Sequence, residues 1–452
     1  MRHPRPRFVL LVLTGLLLGA IIISSLLFAQ GVPPRNKISG GVYERLVAQD
    51  QRRSFVNGRQ IFRYDTFGDE AFWGDTVKLH QAIQGAKFGG VGAGVNPKTA
   101  LALGLKVDAD ALPQSLKNDL KRGRVNLNDP ATTLALLKLN AVVGVKGFFT
   151  QDGRRLRSVG ISCAICHSVV DDSFAPGIGK RLDGWANRDL NIGAIAAAAP
   201  DLTAFATALQ TDQATVRKVL MSWGPGKYDA ELNLDGKAFQ PDGRSAATLI
   251  PPAFAMAGID LHTWTADHGT VTYWNAYVAN TQMHGLGTFY DPQLNNPQKF
   301  PVAVRTRIWN KRDPVDMITA KLPDLHTYQL ALVAPKPPAG SFNRAMAQRG
   351  QALFNGKARC ASCHVPPIFA EPGKNMHRPD EIGIDGFQAS RASDNAYVTQ
   401  RLQGLWTHSK GGFYHDGRFA TLMDVVNHYN TFFRLGLTQQ EKAELIEYLR
   451  SI

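Results

Sequence analysis

The chain has 452 residues, 44% of them hydrophobic, which is enough for two or three domains with real cores. Its formal net charge is +14. No run of Lys and Arg carries interleaved aromatics, so nucleic-acid binding is excluded as the class.

Arg2, Arg5 and Arg7 precede an uncharged stretch over residues 8–28. That stretch is long enough to cross a bilayer and longer than the usual apolar core of a signal peptide. The positive flank stays on the cytoplasmic side, which sends the rest of the chain outward. The expectation is a periplasmic protein held at the inner membrane by an anchor helix in residues 1–30. A cleaved signal ending near Ala29, giving a soluble or secreted protein, is the alternative, although Leu27 suits such a cut poorly. Residues 31–37 read as a Pro-containing tether. The rest of 31–157 is an N-terminal extension without a catalytic motif, expected to pack on the domain that follows it. Within it, 85–94 reads as a glycine-dense loop and 131–143 as a helix opened by Asn128-Asp129-Pro130.

Cys163-Ala164-Ile165-Cys166-His167 and Cys360-Ala361-Ser362-Cys363-His364 both read C-x-x-C-H, the attachment pattern of c-type haem. The two thiols add across the porphyrin vinyl groups, and the adjacent His binds iron. Together the motifs use all four cysteines, leaving none for a disulfide, a zinc site or a nucleophile. Redox-active C-x-x-C sites, or halves of a Cys/His metal site, would not require the histidine twice, nor an export signal. Two covalently bound haem c groups are expected, on Cys163, Cys166 and His167 and on Cys360, Cys363 and His364. Their propionates would offset part of the basic excess.

The first haem region, 158–335, contains loop-like segments and few strand signals. Trp264, Trp274, Phe289, Tyr290 and Trp309 come after its motif, as a chain wrapped round a porphyrin would need. Pro335-Lys336-Pro337-Pro338 is the clearest linker. Beyond it, 341–452 reads as an all-α cytochrome c unit. A helix over 343–354 precedes the motif, and a closing helix over 438–449 has a capping box in Thr438 and Glu441. The fold class is therefore mainly α: two cytochrome c-type haem domains with long loops, an N-terminal extension and a membrane anchor.

Each iron has one further axial position, and its occupant decides between electron transfer and chemistry. For the second haem, a helix capped by Thr421 and Asp424 places Leu422, Val425, Val426 and Tyr429 on one face, with His428 at its border. Helix spacing favours Tyr429; ligand chemistry favours the neutral imidazole of His428. His415 reads as a structural or propionate-side group. For the first haem, His262, His268 and His284 are weak candidates, which argues for an open site.

Residues 343–452 resemble the C-terminal domain of bacterial dihaem cytochrome c peroxidases and their MauG-type relatives. The resemblance rests on Arg349-Gly350, Leu353-Phe354, C-x-x-C-H, Leu402-Gln403-Gly404-Leu405, Tyr414-His415-Asp416-Gly417 and Ala420-Thr421-Leu422. It implies that Tyr429 stands at the distal-ligand position, where the peroxidases have Met and the MauG type has Tyr. The longer layout is similar to the dihaem rubber oxygenases, in the separation of the motifs and the intervals from His167 to Trp274 and Phe289. That similarity implies Trp274 as an electron bridge between the haems, Phe289 over the distal face of the first, and a distal His, which favours His428. The long C-terminal insertion of that branch is missing here. Calcium between the haems goes with the resemblance, but no ligands are assignable.

The expected function is a haem-dependent oxidoreductase of peroxidase or oxygenase type. Peroxide or dioxygen would meet the first haem, and electrons would pass through the second to or from a small electron-donor protein or an organic substrate. A pure electron-transfer dihaem cytochrome c without turnover is the alternative. No distal acid/base is legible, and Phe289 could not serve as one.

Overall fold

The computed structural model describes residues 41–266 and 269–452. The expected anchor and tether, and the candidate His268, lie outside the described residues. Among the described residues no helix is long and apolar enough to cross a membrane. Two compact units are distinguished, one ending at Arg53 and the other comprising 54–452. Of the first, the described part is residues 41–53, largely the opening of helix α1 (Val42–Tyr64). The second unit carries both C-x-x-C-H motifs.

That unit is mainly α, with the described strands forming five two-stranded pairs. Helix α2 (Pro130–Lys138) starts where Asp129 accepts the Ala131 N–H, with Pro130 in the first turn. It is shorter than the expected helix over 131–143. The chain turns through Asn140 at φ 51°, and Val142 bridges to Val107, because its apolar residues are wanted in two directions. Strands β1 (Val145–Phe149) and β2 (Leu156–Ile161) form an antiparallel hairpin that delivers the chain to the first motif. The motif itself is the short helix α3 (Ala164–His167). Strands β3 (Ser168–Val170) and β4 (Arg181–Asp183) form a second antiparallel pair.

Asp183 ties this region together. Its carboxylate accepts from Arg63 Nε at 2.5 Å, Tyr328 Oη at 2.5 Å and Ser168 Oγ at 2.8 Å. The buried acceptor thereby receives charge-assisted and neutral donors from three parts of the chain. Helix α4 (Val271–Tyr277), capped by Thr270, carries Trp274 and Tyr277. It continues into a π-helical turn, Val278–Gln282. Strands β5 (Thr288–Tyr290) and β6 (Asn310–Arg312) pair beside it, and helix α5 (Leu322–Ala331) carries Tyr328.

The C-terminal helices keep close to the sequence pattern. Helix α6 (Arg344–Asn355) has Asn343 as its cap. After the short α7 (Phe387–Arg391), helix α8 (Leu422–Phe432) opens on a reciprocal Thr421–Asp424 capping box, and α9 (Gln439–Ser451) on Thr438–Glu441. Helices α6 and α9 cross so closely that a Cβ on Gly350 would lie 2.0 Å from the Glu444 carbonyl oxygen. Phe354, Val426, Leu445 and Leu449 fill the space around that crossing, and Cys360 packs against them. The helices are therefore the frame that holds the second motif.

Gly350→Ala should force that crossing apart and destabilise the protein by about 1–3 kcal/mol, the usual cost of overpacking. Urea unfolding would measure it; an unchanged midpoint would show that α6 and α9 can separate freely.

Candidate functional site

The first motif is set by close backbone contacts. A Cβ on Gly144, at φ +75°, would lie 2.1 Å from Ile165 N, so only glycine lets the hairpin lie against the motif. Ser162 N donates to the Gly144 carbonyl at 2.9 Å, and Ser162 Oγ to that of Arg63 at 2.8 Å. After the motif, Gly184 N donates to the His167 carbonyl and Asn187 N to that of Cys166, each at 2.8 Å. Burial pushes Cys163 and Cys166 up to about 12. Catalytic C-x-x-C thiols are shifted in the opposite direction, so this pair is not set up as a redox-active dithiol. Burial lowers His167 to about 4, partly opposed by the Pro251 carbonyl and reinforced by Arg401. It is therefore a neutral imidazole, the form that binds metal.

The second motif turns tightly, with Arg359 at φ 57° before it and His364 N donating to the Cys360 carbonyl at 2.9 Å. His364 Nδ1 lies 3.1 Å from the Phe369 carbonyl. Donation to that oxygen fixes the tautomer and leaves Nε2 as the metal-binding nitrogen. Burial lowers the His364 pKa and raises Cys360 to about 12.

Cys360, Cys363 and His364 line a mostly apolar cavity of about 430 Å³. Tyr429, Tyr414, Val425 and Val426 line it as well. Tyr429 thus shares the cavity with the motif, whereas His428 does not: its Nε2 lies 3.0 Å from the Ile382 carbonyl and its ring stacks on Phe432. Burial raises Tyr429, partly offset by hydrogen bonding from Tyr414. Tyr414 is itself raised by burial, with Tyr429 adding to the shift. In the polypeptide alone the Tyr414 Oη is buried without a hydrogen bond of normal geometry. His415 also lines the cavity, 3% exposed and stacked on Tyr397. It is lowered to about 4 by burial, against the pull of Asp416. The Asp385–His415–Asp416 cluster is met by Arg418 and Arg244, so its charge is balanced by protein cations.

Two wall residues were not legible in the sequence. Arg188 and Arg401 line the cavity, and among the described residues neither meets a carboxylate. Arg188 Nη1 is buried without a partner. Arg401 donates only to backbone carbonyls, that of Phe254 at 2.8 Å and that of Pro252. Burial lowers both guanidiniums to about 10. An enclosed cation without an anion costs several kcal/mol, so the cavity is built for a ligand bearing carboxylates. A mostly apolar space edged by two such cations, with two thiols and a tautomer-fixed imidazole, fits haem c. Arg188 also joins the two motifs: Trp185, Ala186 and Arg188 are cavity wall, while Asn187 between them holds Cys166. Position alone distinguishes these arginines from ordinary surface ones.

Trp274 and Phe289, 8% and 5% exposed, share one buried aromatic cluster with Tyr273 and Tyr277. Trp274 Nε1 donates to the Ala266 carbonyl at 2.8 Å. Neither lines the cavity of the second motif; Trp264, Trp185 and the cavity-lining residues around Leu405 do. His262 is buried and lowered to about 4 by burial, with Arg401 adding to the shift. His284 stacks on Phe72 at 3.7 Å, edged by Trp73 and Phe205. Neither is brought to the second cavity.

No family model matches the chain. It is 26% identical over 151 residues to the cytochrome-c peroxidase IdrP1 of Denitromonas iodatirespirans, a match covering 24% of this chain and 40% of that protein. It is 27% identical over 154 residues to the methylamine utilization protein MauG of Methylorubrum extorquens, covering 28% and 42% respectively. The chain thus spans about two fifths of the length of these curated relatives. A crystal structure of a MauG-like protein associated with microbial copper homeostasis overlays on 49% of this chain and 79% of its own, at 18% identity and a TM-score of 0.31. Sequence motifs and curated relatives point the same way: over about a quarter of its length the chain is similar to a cytochrome-c peroxidase and to MauG.

Proposed function

We propose that the protein is an exported dihaem c-type cytochrome oxidoreductase. The site at Cys163, Cys166 and His167 then meets peroxide or dioxygen, and the site at Cys360, Cys363 and His364 transfers electrons. The observation that carries it is the cavity that gathers a C-x-x-C-H motif, two tyrosines and two guanidiniums lacking carboxylate partners. Bound haem supplies one-electron chemistry and, where an axial position is open, reactivity toward peroxide or dioxygen.

The chain's own residues orient and insulate. His364, held through Nδ1, presents Nε2. Arg188 and Arg401, which line the cavity, would hold the haem carboxylates. Tyr429, which lines the cavity with the second motif, would be the residue to hold the haem iron there from the protein side other than His364. Burial raises the Tyr429 phenol and so holds its proton; a bound cation would be needed to compensate the phenolate, and Tyr414 would be placed to hydrogen-bond that oxygen. Trp274 would be the electron bridge and Phe289 would cover the first site, as the resemblance in layout implies; the two share one buried aromatic cluster. The natural partners are a small electron-donor protein or an organic substrate, and the location is the periplasm, with residues 1–30 as anchor.

Material from a host that matures c-type cytochromes should carry two haems by mass. Its oxidised spectrum should contain a high-spin component that shifts with cyanide. Two low-spin, cyanide-insensitive haems would instead make it a pure electron carrier. Peroxide consumption with a reduced cytochrome donor, run beside oxygen uptake with polyisoprene, then separates peroxidase from oxygenase.

Tyr429→Phe should move the second haem toward high spin, while His428→Gln leaves its spectrum unchanged. The reverse pattern would transfer the axial role to His428. In Trp274→Phe, haem content should hold while electron exchange between the haems slows at least tenfold in stopped-flow reduction; an unchanged rate would remove the bridge.

A further inference from the structure

Outside the lining of the second-motif cavity, the interior holds a second concentration of charge. Arg391, at the end of α7, is 0% exposed. Its Nη2 lies 2.9 Å from Asp229 Oδ1 and 2.9 Å from Asp235 Oδ1, and its Nε 2.9 Å from Asp235 Oδ2. Glu231 belongs to the same group, hydrogen-bonded by the side chain of Gln388. Asp229, Glu231 and Asp235 are 1%, 5% and 7% exposed. Three carboxylates against one guanidinium, all enclosed, leave two negative charges if every acid ionises.

The hydrogen bonding is incomplete in a telling way. Asp235 is satisfied through both oxygens. Asp229 Oδ2, Glu231 Oε2 and Gln388 Oε1, each on a side chain more than nine-tenths buried, have no partner. An unpaired buried carboxylate oxygen is costly, and protonation is the least expensive remedy. Burial, opposed by Arg391 and reinforced by the neighbouring acids, raises Asp229 to about 6 and Glu231 to about 7.

The cluster lies on a segment in touch with the first haem motif. Tyr228, next to Asp229, packs in the same core as Cys166, and its phenol is raised first by burial and then by Cys166, Asp229 and Glu231. At the other end, Leu234 packs with Trp274 and Phe289, and the Ala230 carbonyl accepts from Tyr277 Oη at 3.0 Å. The charged and titratable groups facing Glu231 are thus Tyr228, Asp229 and Asp235 from its own segment and Arg391 from α7.

We propose that the Asp229–Glu231–Asp235–Arg391 cluster is an internal proton-binding site, coupled to the redox state of the haem on Cys163 and Cys166. When a one-electron donor reduces that haem from ferric to ferrous, one proton from solvent binds a carboxylate oxygen of the Glu231–Asp229 pair and cancels the added charge. When the haem gives up the electron, the same O–H bond breaks and the proton returns to solvent. The coupling, though not the proton, rests on the proposed assignment of haem to the first motif.

Two measurements on the intact haem-bearing protein test this. Infrared spectroscopy at pH 7 should show the C=O stretch of a protonated carboxylic acid, titrating away as pH rises through 7 to 8 and missing in Glu231→Gln. Potentiometry of the first haem should give a midpoint potential that falls as pH rises from 6 to 8, because the anion formed favours the ferric state. The slope should flatten in Glu231→Gln and in Asp229→Asn. A neutral-pH spectrum without the acid band, read on the wild type alone, overturns the site even if the variants fail to fold. An acid band with an equal potential slope in wild type and Glu231→Gln overturns the coupling. Failure of haem attachment, seen by mass, would instead sink the haem assignment and leave the infrared result standing.

Discussion

Arg188 and Arg401 are cations placed where the protein provides no anion. Burial lowers both to about 10, and among the described residues no carboxylate approaches either. Such a pair is tolerable only when something else supplies the negative charge. The rest of the cavity says what that must be: a largely apolar body, two thiols to fix it, an imidazole on one side and a phenol in the same space. Haem c satisfies every one of these demands at once. The residues lining the cavity thus fit that group in charge, polarity and donor set.

The same arginines link the two halves of the site. The segment that walls the second cavity through Trp185 and Arg188 is hydrogen-bonded through Asn187 to Cys166. Burial lowers His167, and Arg401 adds a little to that shift while its guanidinium lines the other motif's cavity. A change of charge at one site is therefore felt at the other through a few bonds in a medium of low polarisability. The Glu231 cluster adds a third electrostatic element beside the first motif. A buried redox centre changes charge whenever it turns over, and groups able to absorb that change must be close and enclosed to matter.

Rigidity around these charges comes from ordinary packing. Gly350 lets α6 and α9 cross in contact, and Gly144 does the same for the hairpin beside the first motif. Reciprocal capping boxes start α8 and α9. The result is that α8, which carries Tyr429, and Cys360 of the second motif pack on one small core, through Val426 on the one side and Phe354 on the other.

Features that depend on neighbours along the chain could be read from the residues alone. Both C-x-x-C-H motifs lie in five adjacent positions, and the helices around the second were legible because caps and periodicity are local. The fold settled the rest. Tyr429 and His428 differ by one residue, about 100° around α8, and it takes the docking of that helix to turn one into the cavity and the other to Ile382. Arg188, Arg401, Glu231 and Arg391 carry no local signature, since what distinguishes them is which charges the fold brings near and which it withholds. Trp274 and Phe289, well separated along the chain, share a cluster because α4 and β5 meet. Burial, and with it every shifted proton affinity, is a property of the assembled chain.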